Sequence, residues 1–144
     1  MIIAIASDHG GYQLKETVRK YLAGRGDVKV VDLGTNSEES VDYPIYGRAC
    51  AEAVASGKAD RGIVICGTGI GISIAANKVK GIRCGLCTST EMAELTRKHN
   101  NANMLAMGGR TTDPELALDI TRVFLDTEFE GGRHKRRTDL LDEM

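Results

Sequence analysis

The chain has 144 residues, 42% of them hydrophobic, and its 19 basic and 20 acidic side chains leave a net charge of −1. This length is close to one ordinary domain and suffices to bury a core without metal or disulfide staples. The near-balance of charge argues against a general binder of nucleic acid or membrane surfaces, and no apolar run approaches the length that spans a bilayer.

The opening apolar segment is too short for a signal-peptide core, has no basic flank and runs into Asp8. We therefore expect a cytoplasmic protein. Its four cysteines are then expected to be free thiols, because disulfides are rare in reducing compartments. They are Cys50, Cys66, Cys84 and Cys87.

Strand-like and helix-like segments alternate along the whole chain. Each short apolar run, rich in β-branched residues, predicts a buried strand, and a segment with helical periodicity follows it. Pro44 and the pair Asp113-Pro114 suit helix starts, as does Ser89 or Thr90. Five such units predict an α/β fold with a parallel sheet covered on both faces. The strands are expected at Ile2–Ser7, Val28–Leu33, residues 61–66, Ile82–Cys87 and Met104–Met107.

The ends of three predicted strands should meet at one edge of this sheet, where α/β proteins bind ligands. Asp8 and His9 follow the first strand, the glycine-rich turn that begins at Cys66 follows the third, and Arg110 follows the fifth. His99 ends a helix, so it should lie at the opposite edge of its own subunit. If His99 joins the same chemistry, it does so from a neighbouring chain, which predicts a dimer with shared sites.

The turn Cys66-Gly-Thr-Gly-Ile-Gly71 joins a strand to a helix. Such turns expose backbone N–H groups that attract anions, and a helix N-terminus stabilises a thiolate. It is not a Walker A loop, because no Gly-Lys-Ser/Thr follows, and Ile72 stands at the third glycine position of the dinucleotide fingerprint. A tight packing turn is the alternative, but the adjacent Cys66 favours a small-anion site.

The other cysteines are interpreted as structural. Cys50 belongs to the core face of its helix, whereas Cys84 and Cys87 form a Cys-x-x-Cys whose odd separation points them to opposite faces of a strand. A zinc site would need two further ligands that the sequence does not provide. We therefore expect no metal.

Two polar clusters follow later in the chain. His99 and Asn100 offer a general acid or base beside amide donors, although a capped helix C-terminus also explains them. Arg133 and Arg137 are four residues apart, so on a helix both would face one way and suit a phosphate. A nucleic-acid patch is the alternative for this basic run, but the acidic residues that follow it weaken that interpretation.

Taken together, these motifs resemble the ribose-5-phosphate isomerase type B family, whose relatives include galactose-6-phosphate and allose-6-phosphate isomerases. The resemblance runs essentially from end to end. It implies a single Rossmann-like domain over residues 1–144, a three-layer sandwich with a five-stranded parallel sheet, and no metal or organic cofactor. It also implies a homodimer or a dimer of dimers, with residues of about 127–144 on the partner subunit. The motifs are Ser7-Asp-His-Gly-Gly11, Asp42-Tyr-Pro44, Cys66 to Asn77, His99-Asn100, Gly108-Gly-Arg110 and Glu130-Gly-Gly-Arg-His134.

By motif position, Cys66 resembles the base that removes the proton beside the carbonyl, and Thr68 the residue that orients the thiol. His99 resembles the group that assists opening of the furanose ring. The enediolate oxygen would be held by Asn100 together with the amides of Gly67, Thr68, Gly69, Ile70 and Gly71.

The resemblance also assigns the rest of the substrate. Asp8 matches a ligand of the sugar hydroxyls, and Tyr43 lines that pocket. The phosphate ligands would come partly from the second subunit, and they are His9, Arg110, Arg133 and Arg137. A second subtype of the family carries a glutamate base at the position of Ile72, so this chain matches the cysteine type. Asn101 stands where relatives often carry Asp, a change that could alter sugar selectivity or local order.

We therefore expect an aldose–ketose isomerase of D-ribose 5-phosphate and D-ribulose 5-phosphate, in the carbohydrate metabolism of the pentose phosphate pathway. The nearest alternative is the same reaction on a six-carbon phosphate, allose 6-phosphate or galactose 6-phosphate. Others are a non-catalytic sugar-phosphate-binding domain, one subunit of a hetero-oligomeric isomerase, and a thiol hydrolase or transferase. The expected partners are a phosphorylated sugar and a second copy of the chain, with no nucleic acid and no membrane.

Overall fold

Five apolar runs form strands in the computed structural model, which describes all 144 residues. The strands are β1 (Ile2–Ser7), β2 (Lys29–Asp32), β3 (Arg61–Cys66), β4 (Cys84–Leu86) and β5 (Met104–Gly108). All pair in parallel, in the order β2-β1-β3-β5-β4. The predicted parallel five-stranded sheet is confirmed.

The two strands at the edges of the sheet, β2 and β4, are shorter than their apolar runs predicted. Each has a neighbour on one side only, and just beyond the two strands Leu33 and Cys87 still donate backbone hydrogen bonds to that neighbour, at 2.8 and 3.1 Å. The central strand β3 keeps the full predicted length.

Six helices follow or flank the strands. They are α1 (Tyr12–Ala23), α2 (Tyr43–Ala55), α3 (Ile70–Asn77), α4 (Thr90–Lys98), α5 (Pro114–Asp126) and α6 (Arg133–Asp142). Side-chain caps begin two of them, as predicted: Ser89 Oγ accepts from the N–H of Met92 at 3.2 Å, and Asp113 Oδ2 accepts from Glu115 at 3.1 Å. None of the helices has the length and apolar character that crossing a bilayer requires.

Two apolar clusters, one on each face of the sheet, make the three-layer sandwich. Alternate residues of the central strands point to opposite faces, so Ile63 and Ile65 join one cluster and Val64 and Cys66 the other. Helices α1, α4 and α5 cover the first face, and α2 and α3 cover the second. Helix α6 lies outside both layers, with Thr138 as its one buried residue.

The chain order places a crevice between β1 and β3. From β1 the chain moves to β2 on one side, and β3 returns to the other side. In open α/β sheets, ligands bind at such a switch point, beyond the carboxyl ends of the strands. Asp8 and Cys66 stand at these two ends.

Candidate active site

The glycine-rich turn holds the sulfur of Cys66 at the beginning of α3. Cys66 is the last residue of β3, and its Sγ accepts a hydrogen bond from the N–H of Gly69 at 3.2 Å. Gly69 has a φ of +80° and immediately precedes α3. The N–H therefore points at the sulfur in the orientation that stabilises a negative charge there.

The backbone amides around the sulfur differ in what they bind. The N–H of Ile70 donates to Thr68 Oγ1 at 3.2 Å, so the Thr68 hydroxyl contacts this amide rather than the sulfur. The N–H groups of Gly67, Thr68 and Gly71 make no hydrogen bond within the chain. Three donors are thus free beside Cys66, which is the arrangement that an oxyanion requires.

Tyr43 packs directly over this turn. It begins α2, and a Cβ placed on Gly71 would lie 2.7 Å from its ring and 3.1 Å from its hydroxyl. Only glycine at position 71 leaves room for the ring. The Tyr43 side chain therefore lies against the glycine-rich turn, next to Gly71.

Asp8 and His9 follow β1 at the same edge. Asp8 is buried, and its Oδ1 accepts from the N–H of Gly11 at 3.1 Å. His9 Nδ1 accepts from the N–H of Val41 at 3.1 Å, so the ring's Nε2 is the atom free for a ligand.

Arg110 lies at the same edge of the sheet, next to the glycine-rich turn. Its N–H donates to the carbonyl of Gly67 at 2.9 Å, and its guanidinium lies beside Gly10 and Gly67, 3.3–3.4 Å from a Cβ placed on either. A cleft joins the side chain to His9 and to Glu38, a neighbour that the sequence did not single out. We call Asp8, His9, Tyr43, Cys66–Gly71 and Arg110 the sheet-edge half-site.

The remaining predicted residues form a second cluster. His99 ends α4, and its ring stacks on that of His134 with centroids 4.4 Å apart and planes 13° apart. His99 Nε2 lies 3.5 Å from Glu130 Oε1. Asn100 follows, with its carbonyl accepting from Arg83 Nε at 3.1 Å.

Arg133 and Arg137 lie in the first turns of α6 and are exposed, and neither takes part in an ion pair. Together with His99, Asn100, Glu130 and His134 they make what we call the outer half-site.

The structure keeps the two half-sites apart. Asn103, which follows the His99 segment, accepts through its carbonyl from Gly62 at the start of β3, whereas Cys66 ends that strand. In the neighbouring strand β5, Met104 is the first residue and Gly108 is the last. A strand residue rises by about 3.3 Å, so the two edges of the sheet lie about 13 Å apart. One chain does not bring His99 to Cys66, which agrees with the opposite edges that the sequence predicted.

The other three cysteines differ from Cys66 in their surroundings. Burial raises the pKa of Cys50 to about 12, and that of Cys87 to about 12 as well. Burial also raises the pKa of Cys84 far above its usual range. These thiols stay protonated at neutral pH, in line with their predicted structural role.

Asn101, the departure noted in the sequence, lies in the left-handed region with φ +46°. Asn tolerates this conformation better than most residues. Its Oδ1 accepts from Arg97 Nη1 at 2.9 Å, and the same nitrogen donates to the carbonyl of Ala102 at 2.7 Å. The side chain thus orders the segment that follows His99.

Glu130 and His134 belong to one sequence motif, but the sequence did not show that either residue would contact His99. The signal was present in the two consecutive glycines between Glu130 and Arg133, which indicate a sharp turn. What the turn brings together is visible only in three dimensions.

Residues 3–141 match the family model described as Ribose/Galactose Isomerase. The chain is 48% identical over 139 residues to ribose-5-phosphate isomerase B of Escherichia coli, covering 96% of this chain and 93% of that protein. It is 44% identical over 130 residues to the galactose-6-phosphate isomerase subunit LacB of Clostridium acetobutylicum, covering 90% and 75%.

Solved structures show a similarity to the same family. A ribose-5-phosphate isomerase B of Clostridium thermocellum superimposes with a TM-score of 0.98 at 56% identity, covering 99% of this chain and 96% of that one. A ribose 5-phosphate isomerase of Thermotoga maritima superimposes with a TM-score of 0.96 at 53% identity, covering 99% and 98%.

Proposed function

This chain belongs to the ribose/galactose isomerase family, and on that premise we propose that it interconverts D-ribose 5-phosphate and D-ribulose 5-phosphate through an enediolate. The observation that carries the proposal is the pairing of a thiol with three free backbone N–H groups at the switch point of the sheet. Aldose–ketose isomerisation needs a base for a weakly acidic C–H and donors for the oxygen that becomes negative.

In this proposal Cys66 removes the proton from the carbon beside the carbonyl and returns it to the neighbouring carbon. The developing enediolate oxygen faces the free amides of Gly67, Thr68 and Gly71, with Asn100 supplied by the partner chain. The proton passes between adjacent carbons of one molecule, so the reaction itself requires no redox cofactor. His99 assists opening of the furanose before the proton moves.

The remote end of the sugar phosphate provides binding energy that positions the reacting carbons. We assign Asp8 and Tyr43 to the sugar hydroxyls. His9 and Arg110 would bind the phosphate from the sheet-edge half-site, and Arg133 and Arg137 from the partner's outer half-site. Guanidinium groups suit this task because they bind phosphate through paired, charge-assisted hydrogen bonds.

The direct test measures ketose formation from ribose 5-phosphate by the wild type and by Cys66→Ala. Loss of a positioned base should lower kcat by about 10²–10⁴-fold. Cys84→Ala removes another thiol of the same sheet and should leave kcat within about twofold. Full turnover by Cys66→Ala would show that another group is the base.

We further propose that the active unit is a homodimer or a dimer of dimers in which residues 127–144 pack on the partner subunit. The separation of the half-sites supports this, as do the exposed apolar side chains of Leu140 and Leu141 on α6 and of Met144 after it. Mixing inactive Cys66→Ala and His99→Ala chains is the test. Random pairing makes half of the dimers mixed, each with one intact site of two, so about one quarter of wild-type activity should return. No recovery after confirmed subunit exchange would rule out shared sites.

A six-carbon sugar phosphate is the second candidate substrate, favoured by the 44% identity to the galactose-6-phosphate isomerase subunit. Comparing kcat/KM for ribose 5-phosphate, allose 6-phosphate and galactose 6-phosphate decides between them. A non-catalytic sugar-phosphate-binding domain would turn over none of the three.

A cytoplasmic location is also our inference, supported by four free cysteines in a fold that uses no disulfide. Fractionation of cells should recover the protein with cytosolic markers. Recovery from a secreted or membrane fraction would contradict the inference.

A further inference from the structure

The imidazole of His99 is held on two sides by residues that the proposed function does not use. One face stacks on His134, with centroids 4.4 Å apart. Its Nε2 lies 3.5 Å from Glu130 Oε1, and this is the carboxylate paired with the ring. Glu94, on the helix that precedes His99, is instead paired with Lys98.

The backbone is built to keep Glu130 in this position. The N–H of Glu130 donates to the carbonyl of Lys98 at 3.1 Å, which ties the α5–α6 connection to the end of α4. Gly131 and Gly132 follow with φ of +70° and +59°. A Cβ placed on either glycine would meet nothing within 4 Å, so conformation and not space requires glycine there. The reversal that they make brings His134 back over His99.

The geometry favours a proton-transfer role over a metal site. The ligand atoms of His99, Glu130 and His134 lie within 4.8 Å of one another. A metal ion binds in the plane of an imidazole, along its nitrogen lone pair. Because the two rings are stacked with nearly parallel planes, one ion cannot lie in both planes. A single carboxylate at the ring's edge instead fixes which way the ring faces, as in histidines whose second nitrogen contacts an acid.

We propose that Glu130 is a positioning residue that holds His99 for opening of the furanose ring; this rests on the proposed function. In ring opening the C1 hydroxyl loses its proton, the bond between C1 and the ring oxygen breaks, the C1 carbonyl forms and the ring oxygen gains a proton. No oxidant or reductant is needed. Glu130 acts through the orientation of His99 and takes no part in the later proton transfer by Cys66.

Solvent hydrogen exchange on the ketose separates proton transfer from ring opening. Ribose 5-phosphate is mainly a furanose, whereas ribulose 5-phosphate has its C5 oxygen esterified and cannot close that ring. Glu130→Gln keeps the shape of the side chain and removes its charge. We expect it to lower kcat from ribose 5-phosphate by about 10–100-fold, the scale of a misplaced acid–base group, with KM little changed. Exchange of a C1 hydrogen of ribulose 5-phosphate with solvent deuterium passes through the enediolate without any ring opening, and its rate should stay within about twofold of the wild type.

Two further variants complete the experiment. Glu130→Asp retains the carboxylate and should recover part of the lost kcat, whereas Glu94→Gln, on α4 and paired with Lys98, should change neither turnover nor exchange. Full ribose 5-phosphate turnover by Glu130→Gln, or an equal loss in the rate of deuterium exchange into ribulose 5-phosphate, would overturn the positioning role. A wild type that converts neither sugar would overturn the proposed function, and the inference with it, before any variant is compared.

Discussion

Cys66 is 5% exposed and hydrogen-bonded to its own turn, whereas the His99 side chain is 42% exposed and contacts only residues near the surface. The sheet-edge half-site stands on buried central strands, which fix the position of the Cys66 sulfur. The outer half-site rests on a helix end and on α6, where Thr138 is the one buried residue. Proton abstraction needs fixed distances, which fits our proposal that Cys66 of the sheet-edge half-site is the base and that a partner subunit covers the outer half-site.

The largest effect is expected from the Cys66 thiol of the sheet-edge half-site. Iodoacetamide at pH 8 should modify Cys66 and abolish turnover, and ribose 5-phosphate should slow this loss. Cys50 and Cys87 should stay unmodified, because burial raises the pKa of both to about 12 and thiolate is the reactive form. Mass spectrometry of the partly inactivated protein checks the assignment. Inactivation that follows modification of another cysteine would contradict it.

The next largest effect is expected for Gly69→Ala, which tests how tightly the glycine-rich turn of the sheet-edge half-site is packed. Gly69 has φ +80°, and an added Cβ would lie 2.7 Å from the carbonyl carbon of Met107. We expect about 100-fold lower kcat and about 2–4 kcal/mol lower free energy of unfolding in urea. Gly57→Ala is the matched control, with φ +82° and open space around it, and should cost about 1 kcal/mol without affecting turnover. Equal behaviour of the two variants would mean that the turn tolerates movement.

Arg133→Ala tests the outer half-site and should leave the fold intact. Removing a charge-assisted phosphate contact should raise KM for ribose 5-phosphate by about 10–100-fold with unchanged urea stability. Lys135→Ala removes a like charge from the opposite side of α6 and should change KM by no more than about twofold. If both variants raise KM equally, α6 acts only through its net charge.

The smallest effect is expected for Glu16, on helix α1. Hydrogen bonds from Arg19 and then Lys15 lower the pKa of Glu16 to about 2, although partial burial opposes them. A lowered folded-state pKa means stability that is present above the unfolded value of 4.5 and is lost as pH falls toward 2. Because Glu16 is partly exposed, we expect a loss of only about 1 kcal/mol.

Urea midpoints of the wild type and Glu16→Gln between pH 6 and pH 2.5 measure this loss. The stability advantage of the wild type should shrink as the pH falls. An advantage that is constant with pH would show that the carboxylate contributes through packing alone.

The alternation of elements was predictable because buried parallel strands leave continuous apolar runs, and helices leave a period near 3.6. The first and third strands were placed to the residue. The predicted β2 and β4 extended one or two residues too far at each end, because an apolar run does not mark where regular pairing with a single neighbouring strand stops. The shared edge of Asp8, Cys66 and Arg110 followed from parallel pairing, which sequence patterns can indicate.

The order of the strands, the free amides of Gly67, Thr68 and Gly71, and the contact of Glu130 with His99 did not follow. Residue types and their spacing determined the elements and the candidates for chemistry, because local periodicity and turn residues act over a few positions. Which N–H groups stay unpaired and which side chains meet was decided by the tertiary structure. Those contacts join residues far apart in the chain, and they depend on packing that no local pattern encodes.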